Sequence, residues 1–431
     1  MSGYEFDQKG TVSTRYGTKQ EYIDCISTIH GKNMQVVADI VLNHKLGADE
    51  KEEVPVRLVS KENRNEKIGE EKKIPAFTRF TFPGRKNKYS DYVWDWQSFT
   101  GISGDDGIYL ILNQYGNGEW DKVMEEEFGN YDYLMGCDIE FRNPAVRDEL
   151  KKWGKWYLET TGADAFRLDA VKHINTGFYP EWLHYLQEHF QKKIFCIGEY
   201  WKADIDTLLH YIDATSGMIQ LFDVPLHFNF NKASREGDAF DLRTIFDNTL
   251  VKAKPELAVT FVDNHDTQPL QSLESWVDPW FKPHAYAMVL LREQGIPCVF
   301  YPALYGAGYT GNRDGQSHTI DIQPTPGLET LMKVRMNKAY GEQTDYFDDA
   351  HIIGWTRSGS DDPGSGCAVL ICNAGGGEKT MSMGEKHAGK SMFNVLGDQS
   401  HEIVLNEKGE GLFIVEAGKI SVWLLKESNE K

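Results

Sequence analysis

An α/β chain built on a (β/α)8-type barrel, with an inserted domain and a C-terminal antiparallel β domain, is what this sequence predicts. Three observations lead there. Short apolar runs alternate with helical periods from Thr18 to about residue 340. Polar residues gather just after each apolar run, as at the mouth of such a barrel. The alternation breaks twice, over residues 45–142 and after Gly341, in stretches of different character.

The elements follow in order. Thr18-Lys19-Gln20-Glu21 reads as a capping box that opens a helix. Ile23, Ile26 and Ile29 mark its apolar stripe, and Gly31 its stop. The run Val36–Leu42 is almost continuously apolar, which suits a parallel strand covered on both faces. Asn143 and Pro144 have the N-cap and N1 chemistry of a second helix, carrying Leu150, Trp153, Trp156, Tyr157 and Leu158 and ending at Gly162. Further strands are expected at Ala163–Leu168, Ile194–Gly198, Ile219–Val224, Leu257–Val262 and Ile296–Phe300. The barrel is therefore assigned to residues 1–44 and 143–344. Residues 45–142 are too long for a loop and read as the inserted domain. The charged run Asp49–Glu71 within them reads as a solvated face. Residues 345–431 hold short apolar runs between Gly, Asn and Asp (Ile352–Trp355, Ala368–Ile371, Gly411–Val415, Ile420–Leu425), the pattern of an antiparallel β domain.

Composition narrows the function. With 46 basic and 65 acidic residues the net charge is −19, which repels nucleic-acid phosphates. No apolar run reaches the roughly 18–20 residues of a membrane-spanning helix, and the densest, Ala285–Leu291, is far shorter. Met1–Phe6 has neither the basic nor the apolar region of a signal peptide. The six cysteines, Cys25, Cys137, Cys196, Cys298, Cys367 and Cys372, form no Cys-x-x-Cys pair, and Cys367 and Cys372 would face opposite sides of one strand. Free thiols and a cytoplasmic monomer are expected.

Three carboxylates stand just past expected strands: Asp169, Glu199 and Asp266. Strand ends converge at a barrel mouth, so acids far apart in sequence can meet there. A close carboxylate pair is what retaining glycoside hydrolysis needs, one as nucleophile and the other as acid/base. Arg167 lies two residues before Asp169, on the same strand face, where its charge keeps that acid ionised. Glu199 has fewer basic neighbours in sequence, which suits a proton donor.

Four segments together resemble the α-amylase family, glycoside hydrolase family thirteen: Asp39–His44, Phe166–His173, Gly198–Trp201 and Phe261–Asp266. Gly129–Met135 and Asp266–Gln271 are similar to its bacterial liquefying and intracellular members. The resemblance implies Asp169 as nucleophile, Glu199 as acid/base and Asp266 as transition-state stabiliser. It implies substrate contacts from His44, Arg167, Lys172, His173, Trp201 and His265, with an α-1,4-glucan (starch, glycogen or maltodextrin) as substrate and endo-cleavage as the mode. It also implies one Ca²⁺, held by Asn43, Asp132, Asp138 and the His173 carbonyl, an oxygen set of the kind this ion prefers. Asp121 matches one carboxylate of a further metal cluster found in some secreted relatives, but Thr100 stands where another would be, so a single ion is expected. The match begins in the loop before the family's third barrel strand. Six of eight strands are therefore expected, and the chain reads as truncated at its N-terminus; a leader lost upstream would make it secreted. An inactive glucan-binding remnant, or a transglycosylase or exo-glucosidase of the same family, are the alternative readings.

Overall fold

The computed structural model describes residues 4, 7–8, 12–361, 364–397 and 401–426. The chain forms two units, Met1–Trp201 with Asp206–Leu221, and Lys202–Ile205 with Phe222–Lys431.

In the first unit the capping box forms as expected. Thr18 Oγ1 accepts from the Glu21 amide at 3.2 Å, Glu21 Oε2 accepts from the Thr18 amide at 2.8 Å, and the helix Lys19–His30 follows. Asn143 caps the helix Pro144–Thr161, which Gly162 ends at a left-handed φ of 72°. The strands Val37–Ile40, Ala165–Leu168 and Phe195–Gly198 pair in parallel, and Ile197 and Gly198 continue in parallel register to Gln220 and Leu221. One expectation is corrected here. The Val37–Ile40 strand is not covered on both faces: Ala38 and Ile40 are buried, whereas Val37 is 44% exposed and Asp39 is exposed as well. The strand lies at the end of its sheet, paired among the described residues only with Ala165–Leu168, and Asp39 on its open face forms an ion pair with Arg167.

The stretch after Asn43 folds as a six-stranded antiparallel sheet. Its order is His44–Lys45, Cys137–Ile139, Phe99–Gly104, Gly107–Ile111, Glu50–Leu58, Lys72–Arg79. Within the charged run, Val54 and Val56 are fully buried while Glu50, Lys51 and Glu53 face water, so the Glu50–Leu58 part of that run is strand and not merely a solvated face.

In the second unit the strands Ala258–Phe261 and Ile296–Cys298 pair in parallel. Asp223 caps the helix Val224–Glu236, and its carboxylate also accepts from the amides of Leu250 and Val251. The C-terminal segment is antiparallel, as expected. Six strands lie in the order Gln343–Tyr346, Ile352–Arg357, Cys367–Cys372, Ile420–Leu425, Ser391–Asn394, Glu402–Val404. Gly377–Ser382 pairs separately with Glu410–Val415. Leu370, Met381, Met392, Phe413 and Trp423 fill the core of this segment. All six cysteines are free thiols. Among the described residues no helix is long and apolar enough to cross a membrane.

Candidate active site

The site begins with a backbone ladder. The Asp169 amide donates to Ile40 O at 2.9 Å, and the Glu199 amide donates to Leu168 O at 2.9 Å. The register that aligns Val37–Ile40, Ala165–Leu168 and Phe195–Gly198 thus runs one residue past the strands and sets Asp169 and Glu199 side by side. Beyond Asp169 the chain turns sharply. Ala170 holds a left-handed φ of 51°, a strained choice for a residue with a Cβ, and the Val171 amide donates to Glu199 O at 3.2 Å. The single turn Val171–His173 follows.

Arg167 organises the acids. Its Nη1 donates to Asp169 Oδ1 at 2.5 Å and to Asp39 Oδ1 at 2.9 Å, and its Nη2 donates to Glu199 Oε2. Burial works against the guanidinium charge, but Glu199, Asp39 and Asp169 outweigh it and hold its proton more firmly than usual. The expected pairing of Arg167 with Asp169 is present. Glu199 has fewer basic neighbours in sequence, as read there, but strand pairing brings it to the same guanidinium. Asp39 belongs to this cluster and was not singled out from sequence; its place two residues before Val41, on the exposed strand face, was the available signal. His44 lies near enough to Asp169 to feel its charge, yet burial prevails and lowers the imidazole below its ordinary range.

Lys172 and His173 come together around Tyr131, and Lys172 also reaches the Trp201 main chain. Lys172 Nζ donates to Trp201 O at 3.3 Å and lies 4.9 Å from the Tyr131 ring centre. The His173 ring meets the Tyr131 ring edge-on at 4.3 Å, and its Nδ1 bonds to Tyr131 O at 2.6 Å. Burial pushes His173 down to about 3, so it is neutral and Nδ1 is its donor. Tyr131 sits in the Gly129–Met135 segment, but its part in holding these side chains was not legible from sequence.

The oxygen set near Asn43 is buried and acidic. Asn43, Asp132 and Asp138 are each at most 1% exposed. Burial and the neighbouring carboxylates push both aspartates up. Asn43 Oδ1 and Asp132 Oδ1 have no hydrogen-bond partner. Asp138 is satisfied by Asn43 Nδ2 and Thr100 Oγ1. Among the described residues no group of three His, Cys, Asp or Glu is arranged as a ready metal cage. Yet two orphaned buried oxygens beside two buried carboxyls fit a hard cation, which takes amide and carboxylate oxygens alike.

In the second unit Asp266 and His265 stand on the loop after Ala258–Phe261. Asn264 Oδ1 accepts from the Asp266 and Thr267 amides, both at 2.9 Å, and His265 Nε2 lies 3.4 Å from Asp266 Oδ2. Lys282 Nζ and the Val277 amide fix Asp263 at 2.7 and 3.1 Å, anchoring both ends of the loop. His227 braces it, with Nδ1 on Val262 O at 2.7 Å and Nε2 on Ser275 Oγ at 2.8 Å.

Comparison with known proteins places this geometry. The family model for the alpha-amylase catalytic domain matches residues 1–325. The chain is 45% identical over 429 residues to the cytoplasmic alpha-amylase of Escherichia coli (strain K12), covering 98% of this chain and 86% of that protein. It is 47% identical to an alpha-amylase of Geobacillus stearothermophilus, covering 97% and 76%, and 41% identical to a glucan 1,4-alpha-maltohexaosidase of Bacillus sp. (strain 707), covering 98% and 81%. Among solved structures, the alpha-amylase of Geobacillus thermoleovorans complexed with acarbose superposes with a TM-score of 0.62 at 18% identity, covering 99% of this chain and 85% of that one. That likeness carries the fold, a (β/α)8-type barrel with a C-terminal β domain.

Proposed function

The chain belongs to the α-amylase family, and from that premise we propose an endo-acting α-amylase that hydrolyses internal α-1,4-glucosidic bonds of starch, glycogen or maltodextrins with retention. The observation that carries this reading is the guanidinium of Arg167 shared by Asp169 and Glu199. Carboxylates on adjacent nitrogens of one guanidinium are close neighbours. That suits the about 5–5.5 Å of a retaining pair better than the roughly 6.5–9.5 Å of an inverting one.

Asp169, held in place by the hydrogen bond from Arg167 Nη1, attacks the anomeric carbon. Glu199, once it has taken up a proton from solvent, gives that proton to the departing glycosidic oxygen. A glycosyl ester on Asp169 results. Glu199, now a carboxylate, takes a proton from water, whose oxygen attacks the same carbon and releases Asp169. The family resemblance gives Asp266 the third role, stabilising positive charge at that carbon, with His265, Arg167 and His44 on the hydroxyls of the same glucose. Lys172 and His173 hold the leaving-side sugars, a reading that their packing on Tyr131 supports, and Trp201 stacks on a sugar ring.

Asn43, Asp132, Asp138 and the His173 carbonyl are the residues that would hold one Ca²⁺; the orphaned oxygens of Asn43 and Asp132 support that role. An ion held by them would neutralise the buried acids. We place the protein in the cytoplasm, in keeping with the name of the Escherichia coli relative.

Maltoheptaose digested in the presence of calcium, with product size and anomer followed by NMR, tests the reading. Mixed short α-anomeric products support it. Longer products mean glycosyl transfer, glucose alone means exo-cleavage, initial β-anomers mean inversion, and binding without turnover means a glucan-binding protein.

A further inference from the structure

Next to the Asn43 oxygen set the buried acids continue, and there a side chain of the protein supplies the positive charge. Arg142 donates to Glu140 through Nε and Nη2, both at 2.7 Å. Its remaining donors reach two backbone carbonyls, Trp120 O at 3.0 Å and Glu119 O at 2.9 Å. Glu140 is fully buried, and its second oxygen also accepts from Asn113 Nδ2 at 3.0 Å. The loop around the guanidinium is shaped to it. A Cβ on Gly116 would lie 2.5 Å from Arg142 Nη2, and Asn113 Oδ1 pins the Gly116 amide at 2.7 Å. Asp121 and Asp132 lie close enough for Arg142 to feel their charges.

The partners of this guanidinium are two carboxylate oxygens and two main-chain carbonyls, with Asp121 Oδ2 buried and unpartnered nearby. That is a hard-cation set in all but its occupant. The contrast with the Asn43 pole is chemical: there Asn43 Oδ1 and Asp132 Oδ1 are orphaned, whereas both Glu140 oxygens are satisfied by donors.

We infer that Arg142 is a built-in cation occupying the second pole of the acidic cluster, so that the chain takes one divalent ion and not two, and that removing the guanidinium opens a second divalent-cation site at Glu140, Asp121 and the Glu119 and Trp120 carbonyls. The single-ion count rests on the calcium reading above; the second site does not. An alanine leaves the oxygen set intact and a pocket where the planar group stood, whereas Arg142→Lys keeps a charge there but loses the fork.

The test counts Ca²⁺ per chain by elemental analysis after equilibrium dialysis, for the full chain and for Arg142→Ala and Arg142→Lys, and follows thermal stability against calcium concentration. One ion in the parent, two in Arg142→Ala and one in Arg142→Lys are expected. Two ions in the parent overturn the inference, as does an alanine variant that gains none. Should the parent bind none, the calcium reading fails by itself. Arg142→Ala binding one ion would then still support the second site, and binding none would overturn it. If Arg142→Ala is too unstable to dialyse, its melting temperature should rise with calcium beyond the range that saturates the parent. A melting temperature indifferent to calcium overturns the inference.

Discussion

Replacing Glu199 by Gln separates chemistry from structure. The amide keeps the shape of the side chain and one oxygen that can accept from Arg167 Nη2, while Arg167 keeps Asp39 and Asp169. The loss is one charged contact at a side chain 9% exposed, exchanged for a neutral one. That costs on the order of 1 kcal/mol of stability, so the variant stays folded. The amide has no proton to give, and general acid–base catalysis is worth about 10²–10⁴ in rate, or roughly 3–5.5 kcal/mol of barrier. The fall in kcat/KM on maltoheptaose should lie in or above that range, with the urea midpoint near that of the parent. α-Maltosyl fluoride, whose leaving group needs no proton, should still glycosylate Asp169. Azide should then intercept the glycosyl-enzyme and give an α-glycosyl azide seen by NMR. Glucan turnover within about tenfold of the parent would refute Glu199 as acid/base. A β-azide would mean that azide had attacked in place of Asp169, and would refute the order of displacements.

Three other outcomes can be measured directly. Gly154→Ala should destabilise by about 1–3 kcal/mol in urea unfolding, although alanine is the better helix former by about 1 kcal/mol, because the added Cβ would meet the Trp182 indole at 2.6–2.9 Å. A stabilised variant would mean that the Pro144–Thr161 and Phe178–Phe190 helices separate freely. Burial lowers His227 from 6.5 to about 4, so the unfolded chain binds its proton first, and stability should fall as pH drops from about 6.5 toward 4. His227→Gln should flatten that part of the pH–stability curve, and an unchanged slope would refute the assignment. Asn143→Ala should cost about 1 kcal/mol through loss of the bond from the Ala145 amide, measured by the urea midpoint against the parent.

What could be read in the sequence was what local chemistry determines. The Thr18 box, the Asn143 cap and the Gly162 stop each depend on residues within one turn, and each formed where expected. Strand ends were legible because an apolar run stops at a polar residue, which is how Asp169 and Glu199 stood out. The inserted sheet was hidden for the opposite reason. Its strands are short or charged, and their register is set by partners far away, as when His44 comes to lie opposite Asp138. The polar C-terminal strands Gly377–Ser382 and Ser391–Asn394 escaped notice in the same way. One spacing shows the divide well. Arg167 and Asp169 stand two apart and share a face, and so do Glu140 and Arg142. The first pair followed a recognisable apolar strand and was read as a site. The second follows the three-residue strand Cys137–Ile139, whose neighbours are supplied by the fold, and nothing local marked it. Yet both do the same work: a fixed guanidinium two residues away sets a positive charge against a carboxylate. In the first case the acid left beside it is available for chemistry. In the second the acid is bound on both oxygens and becomes part of the frame. The spacing that proposes such a pair therefore does not decide its role, which depends on what else reaches the acid.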